Sequence, residues 1–502
     1  MEHVDVLIVG AGLSGIGAAC HLRMECPSKS FVLLEGREAM GGTWDLFRYP
    51  GVRSDSDMYT LGYRFRPWRD AKAIADGPAI LSYIRETARE FGVEEKIRYN
   101  HRVRGASWSS AEARWTVEAE AGPGQKPVRF TCDFLYLCTG YYDYEGGYTP
   151  EWPGVEHFRG TIVHPQKWPA GLDYAGKRVV VIGSGATAVT LVPAMAETAA
   201  HVTMLQRSPT YVVSRPAEDK IANWLRRRLP ARTAYALTRW KNVLLGSFFY
   251  NLARKRPEMF KRMIAKGVRR QLGEEYASKH FTPQYNPWDQ RLCLVPNSDL
   301  FRSIKEGKAS VVTDHIETFT ETGLRLKSGA QLDADVVVTA TGLVLKLMSR
   351  LQLVVDGEPG DLPKTFVYKG MMLSGVPNMA FAIGYTNASW TLKCDLTAEY
   401  VCRLLNHMDR HGYARCTPRV NDPDVKEEPV IDFTSGYVQR ALHTLPRQGS
   451  KPPWRLHQNY VRDLSLMRYG RVDDGTMQFE KSPAVSTEAT EAAAGVEAAA
   501  RG

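Results

Sequence analysis

Three glycines near the N-terminus have the spacing of a phosphate-binding turn. Gly10, Gly12 and Gly15 follow an apolar strand, 5–9, and open a helix. Gly10 permits a tight turn, Gly12 lets backbone approach a pyrophosphate, and Gly15 lets helix and strand pack closely, while the helix N-terminus attracts the phosphates. Glu35 ends the next apolar strand, where a carboxylate accepts hydrogen bonds from ribose hydroxyls. This unit predicts a dinucleotide with an unmodified ribose, such as FAD.

A second unit repeats this order of strand, glycine turn and helix about 170 residues later. Gly183, Gly185 and Ala188 follow the apolar strand 178–182. The next strand ends in Gln-Arg207-Ser208 instead of an acid. An arginine fork and a hydroxyl bind a 2′-phosphate that a carboxylate would repel. The second unit therefore predicts NADPH in preference to NADH.

The stretch 41–55 combines paired glycines with an aromatic residue and a late carboxylate. Gly41 and Gly42 allow backbone to lie close to a flat cofactor, and Trp44 supplies an aromatic wall. Asp55 follows and is flanked by an arginine and a serine. A buried turn could share single features of this pattern, but the joint spacing favours a cofactor site.

A fourth stretch lies between the two nucleotide units. It contains Phe158, Gly160, His164, Trp168 and Pro169. From the residues alone, a single histidine and tryptophan are more often packed core groups than catalysts. Their position on the connection between two cofactor domains favours a hinge that couples their motion.

The repeated unit predicts an α/β fold with two Rossmann-like dinucleotide-binding domains, for FAD and NADPH, and a helical insertion. Two apolar strands that end in Thr-Gly, 133–140 and 335–342, mark the two crossings between the domains. We predict the following segments: 1–145 (FAD-binding, first part), 146–215 (NADPH-binding, first part), 216–290 (helical insertion), 291–342 (NADPH-binding, second part), 343–480 (FAD-binding, C-terminal part) and 481–502 (disordered tail).

Charge is concentrated in one segment of the 502-residue chain, whose formal net charge is +10. Residues 220–270 hold fifteen Lys or Arg and one acid. The segment mixes aromatic, apolar and basic residues, so it either packs over the substrate pocket or makes peripheral membrane contact through 220–270. Nucleic acid is not an expected partner, because no recognition motif accompanies the charge.

Targeting and metal signals are weak. No apolar run reaches the ~18 residues of a membrane span, and the glycine-interrupted N-terminus is not expected to be a secretory signal. The eight cysteines have no CxxC pair or metal-ligand spacing, which favours reduced thiols in a cytoplasmic protein without a metal. A disulfide reductase with two such domains needs a redox-active cysteine pair, which the first unit lacks.

Together, the four stretches resemble those of the class B flavoprotein monooxygenases, and specifically the type I Baeyer–Villiger monooxygenases. Trp168 stands where the N/S-oxygenating flavin-containing members usually carry Tyr or Phe, and Ala170 departs from the acid of many relatives. The resemblance implies an oxidoreductase that uses NADPH, FAD and O2 to convert ketones to esters or lactones through a C4a-peroxyflavin. It also implies side activity on sulfides or thioamides.

The resemblance assigns roles to individual positions. It places the active-site arginine at Arg291, held by Asp55. The positions implied to bind FAD include Gly10, Gly12, Ser14, Gly15, Glu35, Thr43, Trp44, Asp45, Asp55 and the backbone near Val103. Those implied to meet NADPH are Arg53, Ser54, Gly183, Ser184, Gly185, Ala186, Thr187, Ala188, Val189, Arg207 and Ser208.

The nearest alternative is an N- or S-oxygenating flavin-containing monooxygenase with the same cofactors. The identity of the ketone, the regiochemistry and the oligomeric state stay open at this point. Trp168 and Arg291 favour the reaction at a carbonyl group.

Overall fold

The computed structural model describes residues 1–431 and 433–481, and all but the side chain of residue 350 within them. The predicted disordered tail, 481–502, lies outside the described residues except for Lys481. That residue ends a strand.

The chain forms twenty-five described strands, many of them short. They are β1 Glu2–Val9, β2 Phe31–Leu34, β3 Ile97–Arg98, β4 His101–Ser109, β5 Arg114–Ala121, β6 Lys126–Leu137, β7 Thr161–Val163, β8 Arg178–Ile182, β9 His201–Gln206, β10 Val212–Arg215, β11 Cys293–Pro296, β12 Ala309–Thr313, β13 Ile316–Thr320, β14 Gly323–Leu326, β15 Gln331–Asp333, β16 Val336–Thr339, β17 Gln352–Val355, β18 Glu358–Pro359, β19 Val367–Tyr368, β20 Met372–Leu373, β21 Met379–Phe381, β22 Tyr413–Pro418, β23 Glu427–Pro429, β24 Arg447–Gly449 and β25 Met477–Lys481.

Thirteen α-helices connect or cover the strands in the described part of the chain. They are α1 Leu13–Glu25, α2 Thr43–Leu46, α3 Met58–Leu61, α4 Gly77–Glu90, α5 Ala186–Met195, α6 Lys220–Arg228, α7 Ala231–Lys255, α8 Pro257–Leu272, α9 Glu274–His280, α10 Asp299–Lys305, α11 Trp390–His411, α12 Gly436–Gln439 and α13 Tyr460–Leu464.

Two sheets with parallel centres organise the molecule. In the larger sheet the order is β18-β17-β4-β5-β6-β1-β2-β3, with β21 also paired to β6. Its β1 runs parallel to β2 and β6. The smaller sheet has the all-parallel order β12-β9-β8-β16-β7. The predicted pair of Rossmann-like units is confirmed, and the boundaries of the six predicted segments stay a prediction.

Continuous apolar runs form the central strands because helices cover both faces of a parallel sheet. In β1, Val6, Leu7 and Ile8 are fully buried. In β8, Val179 to Val181 are buried in the same way. Each strand ends at a glycine turn, so both turns lie at the carboxyl edge of a sheet, where ligands of such folds bind.

The two predicted crossings between the units lie side by side. The backbone N–H of Asp143 donates to the carbonyl of Val344 at 2.8 Å, and that of Tyr148 donates to Gly342 at 3.0 Å. Tyr142 and Leu345 form an antiparallel bridge next to the first of these hydrogen bonds. The connecting segments therefore behave as a two-stranded ribbon that joins the units.

The predicted insertion is helical and consists of α6 to α9. Arg239 of α7 is buried, and its guanidinium donates to the carbonyls of Tyr59 and Gly62 and lies 3.2 Å from an Asp395 carboxylate oxygen. This buried pair attaches the insertion to the unit with the larger sheet. None of the helices in 1–431 and 433–481 combines the length and apolar character needed to cross a membrane.

Candidate active site

One cavity of about 2040 Å³ lies where the two units and the insertion meet. Most of the predicted site residues line it. Those that do are Gly12, Ser14, Thr43, Trp44, Arg53, Ser54, Asp55, Gly183, Ser184, Gly185, Ala186, Thr187, Arg207, Ser208 and Arg291.

The first glycine turn is tightly enclosed. Gly10 has a φ of +103°, and a Cβ atom there would lie 2.5 Å from the carbonyl oxygen of Cys138. A Cβ atom at Gly15 would lie 1.9 Å from the Gly10 carbonyl, and one at Gly12 would contact Gly42 at 3.4 Å. The fold therefore requires glycine at positions 10 and 15 for steric reasons, whereas a Cβ atom at Gly12 would make an ordinary contact.

The N-terminus of α1 points its free backbone N–H groups toward the cavity. Gly12 begins this 13-residue helix, and no described side chain caps it. Ser14 accepts a hydrogen bond from Trp390 Nε1 at 3.1 Å. An uncapped helix end favours a phosphate ligand.

The carboxylate of Glu35 is buried directly behind this turn. It accepts hydrogen bonds from the N–H groups of Ala11 at 2.7 Å and Arg37 at 3.0 Å. Burial raises the pKa of Glu35, although these two hydrogen bonds oppose the shift. The side chain is thus fixed, and a carboxylate has acceptor sites left for hydroxyl groups.

Asp45 and Val103 do not line the cavity. The carboxylate of Asp45 is buried and lies 2.7 Å from Arg37 Nη2 and 3.3 Å from Arg85 Nη2. Val103 lies on β4 beside a bulge and packs against the core of the larger sheet. Asp45 is therefore placed to orient arginines behind the first turn, and its contact with FAD stays a prediction.

The second glycine turn begins with the same backbone conformation as the first, but its middle glycine is less closely surrounded. Gly183 has a φ of +134°, and a Cβ atom there would lie 2.3 Å from the carbonyl oxygen of Ala340. A Cβ atom at Gly185 would have no described atom within 4 Å. Ala188 and Val189 are buried in α5 and pack against the smaller sheet instead of facing the cavity.

Arg207 follows β9 at the edge of the cavity and is exposed. It forms no hydrogen bond or ion pair with other described residues. Lys327 also lines the cavity, and sequence reasoning missed it. Backbone hydrogen bonds link Asp314 to Gln206 and Lys327 to His315, which brings this lysine to the side of the sheet that carries Arg207. Two cations therefore face this end of the cavity.

The predicted pair of Arg291 and Asp55 is brought together in the cavity. Arg291 Nη1 lies 3.9 Å from Asp55 Oδ2. Burial raises the pKa of Asp55, against the effect of Arg291 and Arg53. Burial lowers the pKa of Arg291, but Tyr141, Tyr437 and Asp55 outweigh it, so the pKa lies above its ordinary value. The guanidinium therefore stays charged, while both side chains remain accessible from the open cavity, with exposed fractions of 41% for Arg291 and 44% for Asp55.

Three aromatic residues of this region were not predicted. Tyr141 stacks on Trp390 with ring centroids 4.8 Å apart, and both line the cavity together with Tyr437. Tyr141 comes directly after the Thr-Gly pair that follows β6. This place at the carboxyl edge of the sheet was a usable signal. Tyr437 lies on the four-residue helix α12, and no spacing pattern connects it to Arg291.

Arg53 and Ser54 adopt fixed positions on the cavity wall. Arg53 forms an ion pair with Asp299, and its Nη2 is buried without a hydrogen-bond partner among the described residues. Ser54 is buried, and its N–H donates to the carbonyl of Ala75 at 2.9 Å. The unpartnered guanidinium nitrogen marks a place where a polar ligand atom fits.

The stretch 158–169 lies outside the cavity wall. A Cβ atom at Gly160 would collide with the Phe158 ring at 2.4 Å, and Trp168 packs edge-on against Tyr174. Pro169 is exposed. These residues form a packed connection, without direct contact to the cavity.

His164 is the member of this stretch that contacts the ribbon between the units. A Cβ atom at Gly147 would lie 2.0 Å from the His164 ring. Burial lowers the pKa of His164, and the backbone of the neighbouring Gly342 opposes this shift. One neutral imidazole therefore packs against both connecting segments.

The cysteines do not form a redox centre. All eight are free and buried. Burial holds the pKa of Cys138, which lines the cavity, well above its usual range. A protonated thiol is a poor nucleophile, so this geometry does not support disulfide reductase chemistry.

The residues at both turns fit a dinucleotide cofactor. Each turn opens a helix that no described side chain caps, and each lies on the wall of the same cavity. Gly42 packs closely against the first turn, since a Cβ atom there would lie 3.0 Å from the Gly12 Cα. The donor set, made of backbone N–H groups and arginines, suits phosphates.

Family models cover most of this architecture. A flavin-binding monooxygenase-like model matches residues 73–349, more than half of the chain, and a model for an NAD(P)-binding Rossmann-like domain matches residues 8–72. The chain belongs to the family of FAD-containing, flavin-binding monooxygenases, and the predicted family and flavin cofactor are confirmed.

Individual relatives extend this similarity over nearly the full length. The chain is 57% identical over 485 residues to the FAD-containing monooxygenase EthA of Mycobacterium tuberculosis, covering 96% of this chain and 99% of that protein. It is 48% identical over 482 residues to the probable FAD-binding monooxygenase AlmA of Acinetobacter baylyi, covering 96% and 97%. An oxidized steroid monooxygenase bound to NADP has the same fold, with a TM-score of 0.73 at 22% identity over 95% of this chain and 100% of that one.

Proposed function

We propose that this protein is an NADPH- and O2-dependent Baeyer–Villiger monooxygenase that converts ketones to esters or lactones. The observation that carries the proposal is the position of Arg291, which lies beside Asp55 in a cavity that both dinucleotide turns line. A ketone in this cavity would share one enclosure with both cofactors.

The residues on each side of the cavity would hold different cofactors. FAD would lie on the N-terminus of α1 with Thr43 and Trp44, and NADPH on the turn 183–187 with Arg207 and Lys327. When bound, FAD reduced by NADPH supplies the electrons and the activated oxygen for the reaction. The open side of the second turn suits a cofactor that is exchanged during turnover.

Arg291 would stabilise the negative charge that develops on oxygen atoms near the ketone. A fixed donor of this kind contributes about 3 kcal/mol in an enclosed site. An arginine suits this role because it cannot lose its proton and can contact an oxygen atom and a carboxylate together. Asp55 and Tyr437 would position the guanidinium.

Oxidation of sulfides and thioamides is the second candidate activity. It needs the same cofactors but a soft sulfur atom instead of a carbonyl. The aromatic side chains of Trp390 and Phe249 on the cavity wall would admit such apolar groups. Because this reaction builds less charge on a carbonyl oxygen, it depends less on Arg291.

The test offers purified holoenzyme, NADPH and O2 either a methyl ketone or an aryl methyl sulfide, and identifies the products by mass spectrometry. We expect an ester from the ketone, and Arg291→Ala to lower its rate of formation by about 100-fold or more. Arg291→Lys serves as the matched control, since it keeps the positive charge but loses the paired N–H donors of the guanidinium.

Sulfoxide formation without any ester would favour the N/S-oxygenating alternative. An unchanged rate of ester formation in Arg291→Ala would remove the proposed role of this residue.

We further propose that the stretch 158–169 acts as a hinge. The packing of His164 against Gly147 and beside Gly342 supports this role, because motion of either unit would act on the same ring.

A further inference from the structure

Large apolar side chains are exposed mainly on the helical insertion. Of the fifteen that the described residues expose, nine lie between 221 and 263. They are Ile221, Trp224, Leu237, Trp240, Leu244, Leu245, Phe248, Met259 and Met263. Such a concentration on one part of a surface marks an interaction site.

Four of these side chains form a stripe along α7. Leu237, Trp240, Leu244 and Phe248 follow the spacing i, i+3, i+7 and i+11, which places them on one face of the helix. Their exposed fractions range from 41% for Trp240 to 60% for Phe248. The buried residues of α7 occupy the other side, so the apolar stripe is not part of the protein core.

The positive charge of residues 220–270 indicates which kind of partner the stripe would bind. Residues 220–270 hold fifteen cations and one acid. Several exposed cations form no ion pair with described residues, namely Arg227, Arg228, Arg232, Lys255, Arg256, Arg262 and Lys266. Apolar side chains flanked by cations fit a bilayer with anionic headgroups. A second copy would bring the same positive charge, and like charges across an interface oppose association.

The stripe continues into the cavity of the candidate active site. Leu245 and Phe249, on the neighbouring face of α7, line the cavity. Ile221 of α6 and Met263 of α8 also line it and are about half exposed, at 56% and 47%. Apolar side chains thus connect the outer face of the insertion with the cavity.

We propose that α6 to α8 dock on an anionic membrane surface, and that apolar substrates pass from the bilayer into the cavity along α7. Docking is independent of the reaction that the protein catalyses. The substrate route rests on the proposed function.

The first experiment measures sedimentation of the full-chain holoenzyme with phosphatidylglycerol–phosphatidylcholine vesicles and with phosphatidylcholine vesicles. We expect binding to the anionic vesicles that weakens with salt. Leu244→Glu/Phe248→Glu should reduce the bound fraction by about tenfold or more, because two side chains leave the apolar stripe. Arg227→Glu/Arg228→Glu should weaken binding to the anionic vesicles.

The matched control is Tyr469→Glu, which changes an exposed side chain outside the insertion, 73% exposed. It should bind vesicles like the parent protein. Flavin content and circular dichroism show that each variant is folded. Unchanged binding by Leu244→Glu/Phe248→Glu, equal binding to both kinds of vesicle, or self-association in place of vesicle binding would overturn the docking proposal.

The second experiment compares a water-soluble ketone with a long-chain ketone dissolved in anionic vesicles. Leu244 and Phe248 do not line the cavity, so kcat/KM for the soluble ketone should stay unchanged in Leu244→Glu/Phe248→Glu. For the vesicle-dissolved ketone it should fall by about tenfold. An equal effect on both ketones would overturn the route, and vesicle binding without oxidation of either ketone would refute the proposed function while docking stands.

Discussion

The two glycine turns begin with the same backbone conformation but differ in how closely other residues surround their middle glycine. Gly10 and Gly183 both adopt positive φ values, and a Cβ atom at either would collide with a carbonyl oxygen just after the strand that leaves the unit. Gly12 is then covered by Gly42, whereas the space above Gly185 is open among the described residues. The two turns thus differ in how closely other parts of the chain approach their middle glycine.

The charged residues that follow the second strand of each unit, Glu35 and Arg207, also differ in their surroundings. Glu35 is buried and already bonded to two backbone N–H groups, so it is part of the folded frame. Arg207 is exposed and makes no bond to a described residue, so its capacity is left for a ligand. The polar group of the first unit therefore contributes to folding, whereas that of the second unit has no partner among the described residues.

The largest expected effect comes from adding a single methyl group to the enclosed turn. Gly10→Ala should lower the free energy of unfolding by about 3 kcal/mol or more, since it combines a positive φ with a Cβ contact at 2.5 Å. Bound flavin should be lost with the fold. Thermal unfolding and the flavin-to-protein ratio measure both effects.

Gly185→Ala is the matched control, because its new Cβ atom meets no described atom within 4 Å and its φ is −77°. The change in unfolding free energy should stay below about 1 kcal/mol. Equal losses in the two variants would contradict the contrast between the turns.

A smaller effect is expected from pH, and the two helices that follow the glycine turns differ in it. Helix α1 carries His21, which is buried 2.8 Å from Glu25 and 3.6 Å from Asp395, whereas α5 holds no ionisable side chain. Burial lowers the pKa of His21, but the two carboxylates outweigh it and raise the pKa to about 9 from the ordinary 6.5. The protonated ring stabilises the fold below pH 6.5, and this contribution is lost as pH rises through 9.

The parent protein should therefore lose on the order of 2–3 kcal/mol relative to His21→Gln between these pH values. Urea unfolding of both proteins across this range tests the difference. The exposed His411→Gln serves as a control and should show the pH dependence of the parent. A parallel course of parent and His21→Gln would show that the ring carries no such charge.

The smallest of these effects concerns recognition by the second unit. Arg207→Gln should raise the KM for NADPH by about 10- to 100-fold and leave that for NADH nearly unchanged, because only NADPH has a 2′-phosphate. Initial rates of cofactor oxidation with both nucleotides measure this. A similar rise for both nucleotides would place Arg207 elsewhere than beside the phosphate.

Spacing patterns in the sequence predict the glycine turns better than they predict which residues line the cavity. The spacing of Gly10, Gly12 and Gly15 depends on neighbouring residues, so the sequence alone indicates their role. Tyr437 and Lys327 reach the cavity through segments far away in the chain, which no spacing rule connects. Of the three arginines around the carboxylate of Asp45, Arg85 is 40 positions away in the chain, and no local pattern indicated this contact.

The sequence by itself determined the two nucleotide units, their different charges and the helical insertion, because strand, turn and helix arise from contacts within short stretches. The tertiary structure decided that Arg291 lies opposite Asp55, that Glu35 is satisfied while Arg207 is free to bind, and that an apolar stripe on α7 leads toward the cavity. Arg291 and Asp55 are more than two hundred positions apart in the chain. Only the packing of the sheets and helices sets the distances in such relations.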